Sequence, residues 1–389
     1  MEFRFTPDQE NFRQEIRDFL KGALAGIARD ASGGEPEDAH VSEDFSRSLA
    51  AKRWIGLSWP EEYGGQALGH IERYIYTEEM TYHQAPMGFH NTAERQMGPS
   101  IIVSGNDYQR KSYLPDIARA KISMCIGYSE PNAGSDLAAV ETTAVRDGDD
   151  FVINGQKMYT TGAHRADYIW LAVRTDPEAP KHRGISVFLV PLNAPGVDVQ
   201  PLWTMADSRL NHVFFHNVRV NAREMVGEEN RGWYVVAGNL DLERSGIERV
   251  TANQLLFEEV TRYAREIRGN GGAIMDDPVV ANRLAETAIE FAVGRMLAFR
   301  VAWLASKGKS PNYEASVSKV YGSELSQRTA QAGLQVLGLY GQVAESPRWA
   351  KLRGRVLRHY HLAVSDTIRA GSSEVQRNII ATRGLGLPR

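Results

Sequence analysis

Tyr128-Ser129-Glu130-Pro131-Asn132-Ala133-Gly134-Ser135-Asp136, followed by Asn154-Gly155-Gln156-Lys157 and Tyr159-Thr160-Thr161-Gly162, decides how this chain is read. Gly134 and Ser135 interrupt a strand expected to begin near Ser123, and a glycine there lets backbone N–H groups approach a ligand that a side chain would block. The hydroxyls of Ser129, Ser135, Thr160 and Thr161 each donate and accept hydrogen bonds, as a planar ring edge of alternating N–H and C=O groups requires. Tyr159 offers a flat aromatic face. Asn154-Gly155 and Asp147-Gly148 carry the signature of two-residue hairpin turns, and that part of the pattern is expected to be turns. The first loop has no such explanation, because no turn calls for Ser-Glu-Pro and Gly-Ser-Asp together.

Outward from this stretch the texture changes on both sides. Between Ile122 and Gly227 short runs rich in β-branched and aromatic residues predict strands over Ile122–Tyr128, Ala138–Arg146, Phe151–Ile153, Tyr168–Arg174, Ile185–Pro191 and Val213–Val220. Before it, Phe12, Ile16, Phe19 and Leu20 fall at helical spacing behind a Thr6-Pro7 start, with Gln9 completing a capping box. Further helices are predicted around Phe45–Trp54, Ile71–His83, Met97–Ser104 and Asp107–Arg119. After it, long helices are predicted over Trp233–Arg268, Pro278–Ser306, Tyr313–Val336 and Ser373–Ala381. The fold class is therefore an α+β multidomain chain: an N-terminal helical domain at 1–121, a β-barrel or sandwich at 122–228 and a C-terminal helical bundle at 229–389.

With 389 residues the chain exceeds the roughly 250 to 300 at which single cores stop growing, so several domains are expected. A net charge of -3 leaves no global basic field for nucleic acid or an anionic membrane. The run from Arg348 to Arg358 reads as a solvated helix face. Cys125 is the only cysteine, which excludes an intramolecular disulfide and fits a reducing compartment. No apolar run approaches the ~20 residues a membrane helix needs, and a cytoplasmic protein is expected. No H-E-x-x-H, cysteine pair, G-x-S-x-G or P-loop occurs, and His359-Tyr360-His361 is too thin a signal for a metal.

The three quoted segments resemble the flavin cradle of acyl-CoA dehydrogenases, whose [ST]-E-P-x-A-G-S-D loop, I-N-G-x-K hairpin and [WY]-x-[ST] strand recur here in order. The resemblance covers essentially the whole chain. It implies FAD, with Ser129 and Thr161 at the pyrimidine edge and N5, Ser135 near the pyrophosphate and pantetheine, and Tyr159 over the ring. Tyr128, Gly134, Thr160 and Ser372 complete the implied cofactor set, and Glu374 stands on the adenine side. Asp241 and Arg244 match positions near the substrate's nucleotide end, beside Ser135 and Gly371. Gln335, Gly338 and Leu339 lie in a segment resembling the Q-x-x-G-G-x-G stretch that holds a neighbouring subunit's FAD, with Leu339 replacing a glycine.

The implied reaction removes an α proton and a β hydride from an acyl-CoA thioester. It needs a base and donors for the developing enolate. Relatives place the glutamate base either before the glycine of a C-terminal E-G-[ST] segment or in an E-R pair on an earlier helix. Here the first position is Ala370, before Gly371, and the second reads Glu243-Arg244. Glu243 is therefore the candidate base, and Ala370 retains the backbone N–H that bonds the thioester carbonyl in such enzymes. Ser373 and Gln376 are expected to form a capping box at the helix that follows.

The family's R-x-x-F-G arginine, which grips the adjacent subunit's FAD, is absent: Glu266-Ile267-Arg268-Gly269 stands there, with Arg268 shifted by one residue. The resemblance implies a homo-oligomer, dimer or tetramer, with electrons passed to an electron-transferring flavoprotein. A heterotetramer like those of sterol side-chain breakdown remains open, as do a flavin monooxygenase or oxidase on the same scaffold and a non-catalytic subunit.

Overall fold

The computed structural model describes residues 4–25, 41–243, 246–269 and 272–388, with the backbone alone over 240–243. In chain order the helices are α1 (Pro7–Ala23), α2 (Glu43–Ala51), α3 (His70–Tyr82), α4 (Gly98–Ser104) and α5 (Asp107–Ala118), then strands β1 (Met124–Gly127), β2 (Thr143–Asp147), β3 (Asp150–Lys157), β4 (Tyr168–Arg174), β5 (Ile185–Pro191), β6 (Val197–Trp203), β7 (Arg209–Asn221) and β8 (Met225–Val226). Helices α6 (Gly232–Glu243), α7 (Ile247–Glu266), α8 (Pro278–Ser306), α9 (Tyr313–Leu337), α10 (Arg355–Asp366) and α11 (Ser373–Ile379) follow. The chain divides into two compact units, one formed by Met1–Ala39, Gly69–Ala85 and Arg244–Arg389 and the other by His40–Leu68 and Pro86–Glu243.

The helical unit begins as its sequence requires. Thr6 Oγ1 accepts from the Gln9 N–H at 3.3 Å and Gln9 Oε1 from the Thr6 N–H at 3.0 Å, so the capping box forms and Pro7 starts the helix. Ile16 and Leu20 are buried on one side of α1. Buried charge joins that helix to α3 and α8: Arg13 reaches Glu78 at 3.0 Å, Arg17 grips Glu79 through two nitrogens at 2.9 and 2.8 Å, and Arg295 meets Glu78 at 2.7 Å. Sharing each carboxylate between guanidinium groups offsets the desolvation such burial costs.

A single helix over Trp233–Arg268 is not what forms. The chain breaks between α6 and α7, and Gly246 takes φ 83 before α7 starts at Ile247. Only glycine occupies that left-handed region without steric cost. The basic run also departs from expectation: Leu352, Arg353 and Gly354 all have positive φ, so α10 begins only at Arg355, whose Nη1 pairs with both oxygens of Glu259 at 2.8 and 2.6 Å.

The other unit is organised by a sheet of order β6-β7-β3-β2-β4-β5-β8, with β1 running parallel beside β4. Ile169–Val173 of β4 and 185–190 of β5 are buried without interruption, as strands covered on both faces must be. Phe151, Ile153, Leu171, Val173, Phe188, Val190, Val213 and Phe215 form the core between them. Asp147-Gly148 makes the expected tight connection from β2 to β3, with Gly148 at φ 64.

Asn154-Gly155 is not a turn. It lies inside β3, at a register shift against β7, where Gly155 takes φ 142 and an added Cβ would fall 2.7 Å from Thr142 Cα. The glycine serves a β-bulge and close strand approach rather than a hairpin. The 138–146 strand is shorter than expected, because Leu137–Ala139 is a 3₁₀ turn and β2 starts at Thr143. Among the described residues no helix is long and apolar enough to cross a membrane.

Candidate active site

The first loop leaves β1 one residue earlier than its sequence suggests. Strand pairing stops at Gly127, where a Cβ would press within 2.6 Å of Ile169 Cδ1. Tyr128 is buried and its hydroxyl accepts from Trp170 Nε1 at 3.0 Å, so this aromatic belongs to the core. Ser129 is half-buried, and its carbonyl accepts from the Met158 N–H at 2.8 Å, which brings the first and third motifs side by side.

Glu130 and Lys157 make that junction permanent. Both are buried, Lys157 completely, and Lys157 Nζ donates to Glu130 Oε1 at 2.6 Å and to the Tyr128 carbonyl at 3.2 Å. The carboxylate also accepts the Glu141 N–H at 2.6 Å and the Thr142 N–H at 3.0 Å. Burial pushes the Lys157 ammonium down to about 8 against the pull of Glu130. For Glu130 burial acts upward, but the Lys157 charge and the converging donors outweigh it and hold the carboxyl below its usual range. These two motif residues thus face each other inside the protein and leave ligand contact to their neighbours.

Gly134 and Ser135 are exposed, and a Cβ placed on Gly134 meets nothing within 4 Å. Packing within the chain does not demand that glycine, and its bare backbone is open to close approach by a ligand. Asp136 closes the loop by pairing with Lys181.

On the third motif, Tyr159 takes φ 59, a conformation costing a non-glycine residue about 1–2 kcal/mol. The kink leaves Tyr159 56% exposed, while Thr160 turns inward and Thr161 is exposed. Thr160 N–H donates to the Asn211 carbonyl at 2.9 Å, and Asn211 Nδ2 donates to the Thr160 carbonyl at 2.9 Å. Thr160 Oγ1 is buried with no hydrogen-bond partner among the described residues. Strain and an outward aromatic residue at Tyr159, followed by an orphaned hydroxyl at Thr160, fit a segment shaped for a bound ring system.

In the helical unit, Ala370 and Gly371 both lie in the left-handed region, at φ 56 and 80. Gln376, fully buried, donates from Nε2 to the Ala370 carbonyl at 3.3 Å, and the Ser373 N–H donates to the Thr367 carbonyl at 2.8 Å. The expected Ser373–Gln376 capping box does not form. Ser372 is the N-cap instead, accepting the Val375 N–H at 3.3 Å, because Gln376 is taken by Ala370. Ser373 Oγ is left buried without a partner among the described residues. A cavity of about 320 Å³ opens here, lined by Gln327, Gln331, Thr367, Ser373, Glu374 and Arg377 among others. Glu374 is exposed, and first-turn backbone and Ser372 hydrogen bonds lower its proton affinity.

Gln335, Gly338 and Leu339 sit at the end of α9, all exposed, with Gly338 at φ 56 and Leu339 at 82% exposure. Arg268 is exposed on a short strand, Arg268–Gly269, paired with Gly272–Ala273. Glu243 closes α6 and Asp241 lies two residues before it, but both side chains lie outside the described residues, as does Arg244 entirely. His359 is half-buried, its Nε2 3.2 Å from the Ser326 carbonyl and its proton affinity lowered chiefly by desolvation. Among the described residues no three ligating side chains converge as a metal site.

Two residues that the motifs did not single out carry the site's geometry: Asn211 under Thr160, and Gln376 under Ala370. Asn211 stands 51 positions from the threonine it supports, beyond the reach of spacing. Gln376 is six positions from Ala370 and was legible only as a helix start.

Three family models match, in order: the acyl-CoA dehydrogenase N-terminal domain over residues 6–121, its middle domain over 125–218 and its C-terminal domain over 230–385. Acyl-CoA dehydrogenase FadE26 of Mycobacterium tuberculosis is 38% identical over 400 aligned positions, covering 100% of this chain and 99% of that protein. Among solved structures, the Tcur3481-Tcur3483 steroid ACAD matches with a TM-score of 0.90 at 34% identity, covering 100% of both chains. The ChsE4-ChsE5 complex from Mycobacterium tuberculosis matches with a TM-score of 0.89 at 36% identity, again covering 100% of both chains. With a sheet set between helical segments in sequence and every domain model matched, the chain belongs to the acyl-CoA dehydrogenase family, oxidoreductases that use FAD.

Proposed function

We propose that the protein oxidises an acyl-CoA thioester across its α and β carbons, with Glu243 as the base, and that its domains divide at 121/122 and 228/229. The observation that carries this reading is the Tyr159–Thr161 segment, in which strained backbone, an exposed tyrosine and the orphaned Thr160 hydroxyl meet. FAD, when bound, supplies the hydride acceptor. Ser129, Ser135, Tyr159, Thr160 and Thr161 would hold it, with Tyr128 and Gly134 shaping the loop, Ser372 and Glu374 at the nucleotide end, and Arg268, Gln335, Gly338 and Leu339 facing a neighbouring subunit's cofactor.

The protein's own part is proton transfer and orientation. Glu243 takes the α proton, which requires a carboxylate within hydrogen-bond reach of that carbon. The Ala370 N–H stabilises charge developing on the thioester oxygen, and its left-handed backbone, tied by Gln376, keeps that donor preorganised. Asp241, Arg244, Ser135 and Gly371 would contact the CoA portion. An electron-transferring flavoprotein would receive the electrons.

The name of one matched structure, a steroid ACAD, favours a steroid-borne acyl group, and two of the matched structures are named as pairs of chains. The missing family arginine near Arg268 favours the same second reading for assembly, one subunit of a heteromeric enzyme rather than a homo-oligomer. Enoyl-thioester formation from a panel of straight-chain, branched and steroid-side-chain acyl-CoA substrates tests the reaction with an artificial electron acceptor. Enoyl product that disappears in Glu243→Gln supports it; oxygen uptake without enoyl product contradicts it. Mass measurement of the purified assembly and its FAD-to-chain ratio decides between the two assemblies.

A further inference from the structure

Asn211 lies fully buried on β7, at the centre of a polar cluster that the proposed chemistry does not use. Its Oδ1 accepts from Arg209 Nε at 3.1 Å, while its Nδ2 donates to the Thr160 carbonyl at 2.9 Å and lies 3.1 Å from His164 Nδ1. These partners settle which way the amide faces, since a guanidinium only donates and a carbonyl only accepts. His164 Nδ1 therefore faces the Asn211 N–H as its acceptor, while Arg165 Nη1 lies 3.4 Å from Nε2. The Asn211 amide thus rests in one orientation.

What it holds is the segment facing outward. Both backbone groups of Thr160 are committed to Asn211, so the residue after the Tyr159 kink cannot rotate, and Thr161 emerges in a set direction. We propose that Asn211, backed by His164, is a positioning residue for the flavin: it fixes how Thr161 presents its N–H and hydroxyl to the ring edge, and thereby sets the relative affinity for oxidised and reduced FAD. The inference rests on the FAD reading of this site.

The test uses the full chain, with Asn211→Ala, Asn211→Asp and His164→Ala beside the wild type. Flavin-stripped proteins are titrated with FAD by fluorescence, midpoint potentials are read against reference dyes, and unfolding of the apoproteins is followed by circular dichroism. Asn211→Asp keeps the side-chain volume and the acceptor for Arg209 but loses the donor to Thr160. Both Asn211 variants are expected to bind FAD at least tenfold more weakly. In Asn211→Asp the oxidised-to-reduced affinity ratio is expected to change about tenfold, about 30 mV for a two-electron couple. His164→Ala gives a smaller shift of the same sign and keeps the proposal testable if an Asn211 variant does not fold. Wild-type affinity and midpoint in the folded variants, with only the unfolding temperature lowered, overturn the proposal and leave Asn211 a structural residue. A wild-type chain that takes up no FAD overturns the cofactor reading first, and this inference with it.

Discussion

The cradle junction of the sheet unit and the Ala370–Gly371 turn of the helical unit both hold backbone groups in position, by opposite means. At the junction a buried charge pair does the work, with Lys157 and Glu130 tying Tyr128 to the strand that leads to Thr161. At the turn no charge is involved: two successive left-handed residues are held by the neutral amide of Gln376. The first is cooperative and intolerant, because removing one partner leaves an uncompensated ion in the interior. The second stores modest strain and tolerates change, provided the backbone keeps its shape.

Breaking the charge pair should give the largest effect. Glu130→Gln and Lys157→Met are each expected to lose about 3–5 kcal/mol in urea unfolding, and the double variant to recover much of it. Single losses below about 1 kcal/mol would show that water reaches the pair. Because Glu130 has its folded proton affinity lowered, its contribution is present above its ordinary value of 4.5 and is lost as pH falls further. The stability gap between wild type and Glu130→Gln should therefore be full at pH 7 and shrink below about pH 4.5. A gap independent of pH from 7 to 3 would contradict the pairing.

The turn should respond less, and with either sign. Gly371→Ala places a Cβ 2.3 Å from Gln376 Nε2 at φ 80, and a loss of about 2 kcal/mol is expected by thermal unfolding. Ala370→Gly relieves the strain at φ 56 while enlarging the unfolded ensemble, for a net gain of about 0.5 kcal/mol. If Ala370→Gly instead destabilised by more than about 1 kcal/mol, the turn would depend on the alanine methyl and the contrast would fail.

Legibility in the sequence followed burial. β5 and α8 match their expected limits residue for residue, since each carries a long apolar pattern with clear stops. β6 went unread because Val197–Trp203 is a largely exposed edge strand with Pro201 inside it, and its apolar positions never form a run. Gly246 and Gly155 misled in opposite directions: one breaks a helix that periodicity continues, the other sits in a strand that turn statistics interrupt. As candidate ligand contacts, the hydroxyls of Ser129, Ser135 and Thr161 and the Tyr159 ring could be named from sequence because their chemistry is local. The inward partners, Asn211 for Thr160 and Gln376 for Ala370, depend on tertiary approach that no single-segment pattern records.

We assign the catalytic base to residue 243, because Ala370 has no carboxylate to offer. Anaerobic addition of an accepted acyl-CoA to FAD-loaded protein, followed at the flavin absorbance band, tests it directly. Rapid bleaching in the wild type and a rate at least about 10²-fold lower in Glu243→Gln, with FAD still bound, is the expected result. Bleaching at the wild-type rate in Glu243→Gln would contradict the account and assign the base to another residue.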